Sequence, residues 1–453
     1  MTRIESVHAR EVFDSRGQPT VEVEIHCSGG YVGRAIVPSG TSTGKYEAVE
    51  LRDHDAGRLD GMGVRRAVMH VNSEIVYALL GQDVEDQAKI DKLLIRIDGT
   101  PDKSRLGANA LLGVSLAAAH GAAAVKGVPL ATHLREVWQR VLWGAKRPVV
   151  PPPGTEKLGD RLVLPIPMIN MISGGLHAGG NLDFQDFMII PVAARSYRQA
   201  LDWSVLIYHR LGHLLSDAGY EGVLVGAEGG FGPQLKKNEE AIQFILRAIE
   251  AAGLRPGDDV CLALDVASSQ FYSDGHYRAH GQAAGELSSD EMIGLLETWC
   301  DWYPIISIED GVAEDDWDGW KSMTARLGNR VQLVGDDVFV TNRNRILEGV
   351  SDGVANSVLI KLNQVGTLWE TMGATQVALD NGYRPVISAR SGETEDTTIA
   401  DLAVATGAGQ IKIGSLARSE RLAKYNQLIR LEEQFGEDAV WLGGSIFGDR
   451  RRR

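Results

Sequence analysis

Ser357-Val-Leu-Ile-Lys361, Pro385-Val-Ile-Ser388 with Ala389-Arg390 behind it, and Gln410-Ile-Lys-Ile413 are three short apolar runs, each with a basic residue inside it or just past its end. These runs decide the fold. Each is rich in β-branched and aliphatic residues, and a longer helix-compatible stretch separates it from the next. Upstream, Val260-Cys-Leu-Ala-Leu264, Ile305-Ile-Ser-Ile308 and Val331-Gln-Leu-Val334 repeat the pattern, now with Asp265, Glu309 and Asp336 at their ends. Six strand–helix units in succession demand a parallel sheet, and near-continuous apolar strands suit a sheet covered on both faces. With residues 163–256 added, the count approaches that of a (β/α)8 barrel. A doubly wound open sheet is the alternative, but no GxGxxG follows a strand.

The N-terminal part reads differently. Thr20-Val-Glu-Val-Glu-Ile-His26 and Tyr31-Val-Gly-Arg-Ala-Ile-Val37 alternate with period two around Ser28-Gly-Gly30, which predicts a β-hairpin. Helical patterns follow near 63–80, at 84–97 and at 108–126. We therefore expect a small α+β domain over residues 1–136, a linker over 137–162 containing the proline-rich insert near 146–153, and a barrel domain over 163–453.

Composition narrows the function. The 453 residues carry 46 Lys+Arg against 60 Asp+Glu, a net charge of -14, which repels phosphate backbones and argues against a nucleic-acid partner. The three cysteines are far apart and lack metal-ligand spacing, as in a reduced cytoplasmic protein. The N-terminus has no secretory signal pattern, and the most apolar stretch, Ala110 to Val125, reads as a buried Ala-rich helix and not as a membrane span.

In a barrel, strand C-termini converge on one mouth. Here that mouth receives Asp265, Glu309 and Asp336 on one side and Lys361, Arg390 and Lys412 on the other. Three carboxylates on adjacent strands form a hard oxygen cage suited to Mg²⁺, while the cations face an anionic substrate bearing carboxylate and phosphate. A lysine beside a second lysine and a divalent cation loses its proton more easily than in water and can act as general base. Val225-Gly-Ala-Glu-Gly-Gly-Phe-Gly-Pro233 places Glu228 in a glycine-rich turn, a candidate general acid. His177 and Gln185-Asp186 form a second polar cluster. Ser39-Gly-Thr-Ser-Thr-Gly-Lys45 lacks Walker A spacing and is read as a mobile lid.

Over nearly its whole length the chain resembles the enolase family. The resemblance rests on Ala9-Arg-Glu-Val-Phe-Asp-Ser-Arg-Gly17, the Ser39–Gly44 lid, Ser307-Ile-Glu-Asp310, Gly335-Asp-Asp337, Leu359-Ile-Lys-Leu-Asn-Gln-Val-Gly366, Arg390-Ser-Gly-Glu-Thr-Glu-Asp396 and Arg418-Ser-Glu-Arg-Leu-Ala-Lys-Tyr-Asn-Gln427. It implies an enolase-type modified (β/α)8 barrel whose second strand runs antiparallel, with a small N-terminal α+β domain, assembled as a homodimer or larger homo-oligomer. It implies one or two Mg²⁺ ions, one held by Asp265, Glu309 and Asp336 and a second reached by Ser39. It further implies Lys361 as the base at the α-carbon, Glu228 acting on the departing β-hydroxyl, Lys412 on the substrate carboxylate, Arg390 and Ser391 on the phosphate, and His177, Gln185 and Asp186 lining the pocket.

The departures from the family pattern cluster. Ala389 stands for a histidine, Ala227 for an aspartate, Asp186 for a glutamate, Ser173 and Leu176 for Asn and Ser, Gln270 for a glutamate and Ile413 for a threonine. The buried charges remain while bulk and polar groups near the phosphate and hydroxyl are lost. This favours an active enzyme for an enlarged phosphorus substrate, as in the carboxyphosphonoenolpyruvate synthase branch associated with phosphonate and phosphinate antibiotics. The alternatives are housekeeping phosphopyruvate hydratase, which dehydrates 2-phosphoglycerate to phosphoenolpyruvate, and a non-catalytic binding protein on the same fold.

Overall fold

The computed structural model describes residues 2–40, 44–143, 161–279 and 285–452. Eight strands close into a barrel: Ile166–Ser173, Asp186–Ile190, Cys261–Asp265, Ile305–Glu309, Gln332–Gly335, Ser357–Ile360, Arg384–Ser388 and Gln410–Gly414. The six runs expected from sequence are barrel strands three to eight, displaced by at most a residue or two at their ends. The second strand pairs antiparallel with both neighbours, and the remaining pairings around the barrel are parallel. Reversing one strand removes the first crossover helix, so a loop over 174–185 containing the 3₁₀ turn Gly175–Ala178 joins strands one and two, and two helices, Tyr197–Asp217 and Asn238–Ala251, follow strand two.

Alternation along each strand sorts the side chains. Leu262, Leu264, Ile308, Leu333, Val358, Ile360, Ile387 and Ile411 point outward into the layer under the helices. Ile166, Met168, Met188, Cys261, Ala263, Ile306, Val334, Leu359 and Val386 fill the barrel interior. The same period of two brings Asp186, Asp265, Glu309, Lys361 and Lys412 inward at the upper rim. Ile446 and Phe447 of the C-terminal 3₁₀ segment Gly443–Arg452 plug the opposite end.

The N-terminal domain is a three-stranded antiparallel sheet, Ile4–Phe13, Pro19–Cys27 and Tyr31–Ile36, covered by the helix Ala108–Lys126. Gly33 permits that cover, since a Cβ there would lie 2.1 Å from the Ala117 carbonyl oxygen. Among the described residues this is the one helix long and apolar enough to cross a membrane, and most of it is packed inside the protein. The first strand was not foreseen, because the charged residues within it break the alternation. It is held by Arg10, which pairs with Glu22 and, at 2.8 Å, with Glu24 of the next strand. A further helix, Leu130–Trp143, runs past residue 137, where the linker was expected to begin, and Leu162 already opens a strand that pairs with Ala439–Trp441. The insert near 146–153 lies outside the described residues.

The two domains are joined by polar contacts. Ser115 Oγ accepts the Leu368 amide at 2.9 Å, Asp91 Oδ2 accepts that of Trp369 at 2.8 Å, and Asp396 Oδ2 accepts that of Ile36 at 3.1 Å. Ser39 and Gly392 exchange backbone hydrogen bonds at 2.8 and 2.9 Å. Ser39 is therefore anchored to the barrel mouth.

Low in the barrel, Gln332 and Gln410 exchange reciprocal side-chain hydrogen bonds of 2.9 Å, with Ser307 Oγ 3.2 Å from Gln332. Gln332→Leu strands one buried amide and should cost about 1–3 kcal/mol, whereas Gln332→Leu with Gln410→Leu should recover most of it. Thermal unfolding midpoints of wild type, single and double variants check this; a double variant less stable than the single contradicts it.

Candidate active site

The upper rim of the barrel gathers the residues expected at the site. Each of Asp265, Glu309, Asp336, Lys361, Arg390 and Lys412 lies within two residues of a strand C-terminus or inside the strand, and all are largely buried. Lys412 Nζ bridges Asp265 Oδ2 at 2.6 Å and Glu309 Oε2 at 2.8 Å, and Lys361 Nζ donates to Asp336 Oδ2. Gln185 Nε2 reaches Asp265 Oδ2 at 3.0 Å, and Gln364 Nε2 reaches Asp336 Oδ1 at 2.9 Å.

Charge is concentrated here beyond what the lysines neutralise. Burial, followed by the nearby Asp265, drives the Glu309 carboxyl well above its usual range. Burial also raises Asp310, with Asp337 and Asp336 adding to it. Asp310 is occupied structurally, its two oxygens accepting the backbone amides of Asp336 and Asp337 at 2.9 and 3.0 Å. Asp265, Glu309 and Asp336 are buried carboxylates at the ends of adjacent strands that supply only oxygen, a donor set that fits a divalent hard cation, and Asp310, Asp336 and Asp337 bring carboxylate oxygens within 4.8 Å of one another beside them. Asp265, Glu309 and Asp336 would hold it, and the lysines that now occupy their oxygens would turn to the substrate.

In the protein alone both lysines are shifted toward their charged form. Burial disfavours the Lys361 ammonium, but Asp336 beside it overrides burial and the pKa moves up. Lys412 rises further, burial again being overridden by Asp265 and Glu309.

The second polar cluster forms the opposite wall. His177 Nδ1 lies 3.1 Å from Asp186 Oδ2, and His177 Nε2 lies 3.9 Å from Glu228 Oε1. The backbone amide of Ala227 donates to the His177 carbonyl at 2.9 Å, which ties the Glu228 turn to the histidine. Burial alone would raise Glu228, but His177, Arg421 and Lys412 outweigh it and the carboxyl is held below its usual range. Asp186 goes the other way, pushed up to about 6, mainly by burial.

His177, Gln185, Glu228, Asp265, Lys361, Ser388, Ala389, Arg390, Ser391 and Lys412 line one cavity, with a volume of only about 20 Å³. Asp186 does not line it. One methylene shorter than glutamate, it is held behind His177 by Asn170 and by Ser173 Oγ at 3.3 Å. Its carboxylate faces the imidazole, with Oδ2 3.1 Å from His177 Nδ1. Ser39 does not join the carboxylates either, since its hydroxyl donates to Glu50 Oε2 at 3.0 Å and accepts from Arg52 Nη2 at 2.9 Å. Lid residues 41–43 lie outside the described set.

Four residues at the site escaped the sequence reading. Arg421 holds the backbone around Arg390 through the carbonyls of Arg390, Ile413 and Ser391 at 2.7, 2.9 and 2.5 Å. Glu47 and Asn363 contact Arg390, and Gln364 contacts Asp336. Asn363 and Gln364 follow Lys361 directly, a neighbourhood that could have flagged them. Nothing local distinguishes Glu47.

Replacing Asp265 by Asn, Glu309 by Gln or Asp336 by Asn should each abolish the heat of Mg²⁺ binding while leaving the fold intact, because one anion is lost and carboxylate repulsion is relieved. Calorimetric titration with circular dichroism as the fold control is the check; wild-type affinity in all three would remove the metal assignment.

Residues 4–134 match the enolase N-terminal domain, and residues 161–449 match the enolase C-terminal TIM barrel domain. These matches cover most of the chain, coincide with the two folded units, and place every residue of the buried charge cluster within the barrel match. The chain belongs to the enolase family.

Proposed function

We propose that this protein is a Mg²⁺-dependent lyase of the enolase family that dehydrates a 2-phosphoglycerate-like acid whose phosphorus group is enlarged, forming carboxyphosphonoenolpyruvate, in which a carboxylate replaces one phosphate oxygen. The observation that carries the enlarged substrate is Ala389. Its methyl lines the cavity beside Arg390 and Ser391. The neighbouring Ser388 Oγ donates to the Ala389 carbonyl at 3.0 Å.

Bound Mg²⁺ supplies positive charge that stabilises the enolate formed at the substrate carboxylate. Lys361, freed from Asp336, takes the α-proton and leaves its electron pair on that carboxylate. Lys412 moves from Asp265 and Glu309 to hold the carboxylate in place. Collapse of the enolate forms the carbon–carbon double bond and expels the β-hydroxyl, which leaves as water with a proton delivered from the His177–Glu228 side. Arg390 and Ser391 receive the phosphorus oxyanion. The same reading gives a cytoplasmic homodimer or larger homo-oligomer with a small anionic substrate and with neither nucleic acid nor membrane as partner.

Glu228 is held ionised. Ala227 supplies no neighbouring carboxylate that would lift it, so the proton donor is weak and dehydration of ordinary 2-phosphoglycerate is expected to be slow. Ala389→His with Ala227→Asp should raise that dehydration and exclude the enlarged substrate, both singles being measured because the two sites share one pocket. The ultraviolet absorbance of the enolpyruvate product is the readout. Wild-type turnover of 2-phosphoglycerate at about 10 per second or more, a typical enzyme rate, identifies 2-phosphoglycerate as the substrate and contradicts the proposal. Absence of turnover together with absence of Mg²⁺ binding supports a non-catalytic role instead.

A further inference from the structure

Arg390, assigned above to the phosphorus oxyanion, already has an anion in its fork. Nη1 donates to Glu47 Oε2 at 2.9 Å and Nη2 to Glu47 Oε1 at 3.2 Å, while Nη1 also donates to Asn363 Oδ1 at 3.0 Å. Both side chains are nearly inaccessible, at 2% and 8% exposure for Arg390 and Glu47. The Glu47 carboxylate further accepts the Gly44 amide at 3.0 Å and Gln364 Nε2 at 3.4 Å. Gly40 lets the guanidinium lie flat on the chain, since a Cβ there would come 1.9 Å from Nη2.

The position of the pair matters as much as its geometry. Arg390 forms part of the wall of the small catalytic cavity. Glu47 and Asn363 line a separate cavity of about 320 Å³, together with Ser39, Glu50 and Arg52. Glu47 therefore approaches Arg390 from the N-terminal domain and has open space beside it. A guanidinium cannot shed its proton, and a buried one left without an anion is strongly destabilising. Some anion must occupy this fork whether or not substrate is present, and a planar carboxylate matches it in a bidentate manner as a phosphorus oxyanion does.

We propose that Glu47 is an internal competitor of the substrate: its carboxylate occupies the Arg390 fork in the free enzyme, and the phosphorus oxyanion binds by displacing it into the adjoining cavity. The inference rests on Arg390 being the anion-binding group of the proposed function. Its consequence is that binding of any incoming anion is weakened by the fraction of molecules in which Glu47 holds Arg390.

Calorimetric titration of the full-length protein with inorganic phosphate tests this. Glu47→Gln, nearly isosteric but uncharged, should tighten phosphate binding about tenfold, as expected when no carboxylate has to be displaced from the fork. Glu47→Ala should move the same way, and malonate should gain by the same factor because competition is indifferent to the incoming anion. Unchanged or weaker phosphate binding in Glu47→Gln means that Glu47 positions Arg390, and overturns the inference. Arg390→Ala separates the two levels: loss of phosphate binding there, with no gain in Glu47→Gln, overturns the internal competitor alone, whereas retention of phosphate binding removes Arg390 from the anion site and overturns both.

Discussion

The structure is organised around one electrostatic constraint: Asp265, Glu309 and Asp336 are buried side by side at the dry rim of a barrel, with Lys412 and Lys361 as their nearest cations. Carboxylates this close repel, and burial deprives each of hydration. Lys412 relieves the first pair and Lys361 the third carboxylate, yet Glu309 is still driven toward its neutral form. Such a cluster persists because the strands that carry it are locked in register by the layer of Leu, Ile and Val beneath the helices, and in the proposed reaction a cation and an anionic substrate would complete it.

From that constraint the division of labour follows. The barrel supplies rigid placement, one charged group at nearly every strand end. The turn containing Glu228 is fastened to His177 through a backbone hydrogen bond, which fixes the carboxylate beside the imidazole. Asp186 and Asn170 form a polar floor under the histidine. The N-terminal domain reaches the mouth at Ser39, bonded to Gly392, and at Glu47, bonded to Arg390.

Much of this was legible in the sequence. Strands three to eight announce themselves because a parallel barrel strand is apolar along its length and ends in a charged residue, so both its existence and its upper end can be read. The first strand of the N-terminal domain could not, because Glu5, Arg10 and Glu11 interrupt its alternation and its stability comes from pairing with the second strand. The antiparallel second barrel strand came only through the family resemblance. Among site residues, the charged trio and the lysines follow from strand parity. The withdrawal of Asp186 behind His177 and the attachment of Ser39 to Glu50 and Arg52 depend on side-chain reach across distant segments, which spacing does not encode. Glu47 is the clearest case, since its partner lies in the other domain.

The account stands or falls on Lys361 acting as a base on a carbon acid, and exchange of the substrate α-proton reports that step without requiring the overall reaction to proceed. 2-Phosphoglycerate incubated with the Mg²⁺-loaded protein in deuterated water should incorporate deuterium at its α-carbon. Lys361→Ala should slow that exchange by about 10²–10⁴-fold, the usual contribution of a positioned general base. Exchange in Lys361→Ala at the wild-type rate would contradict the account.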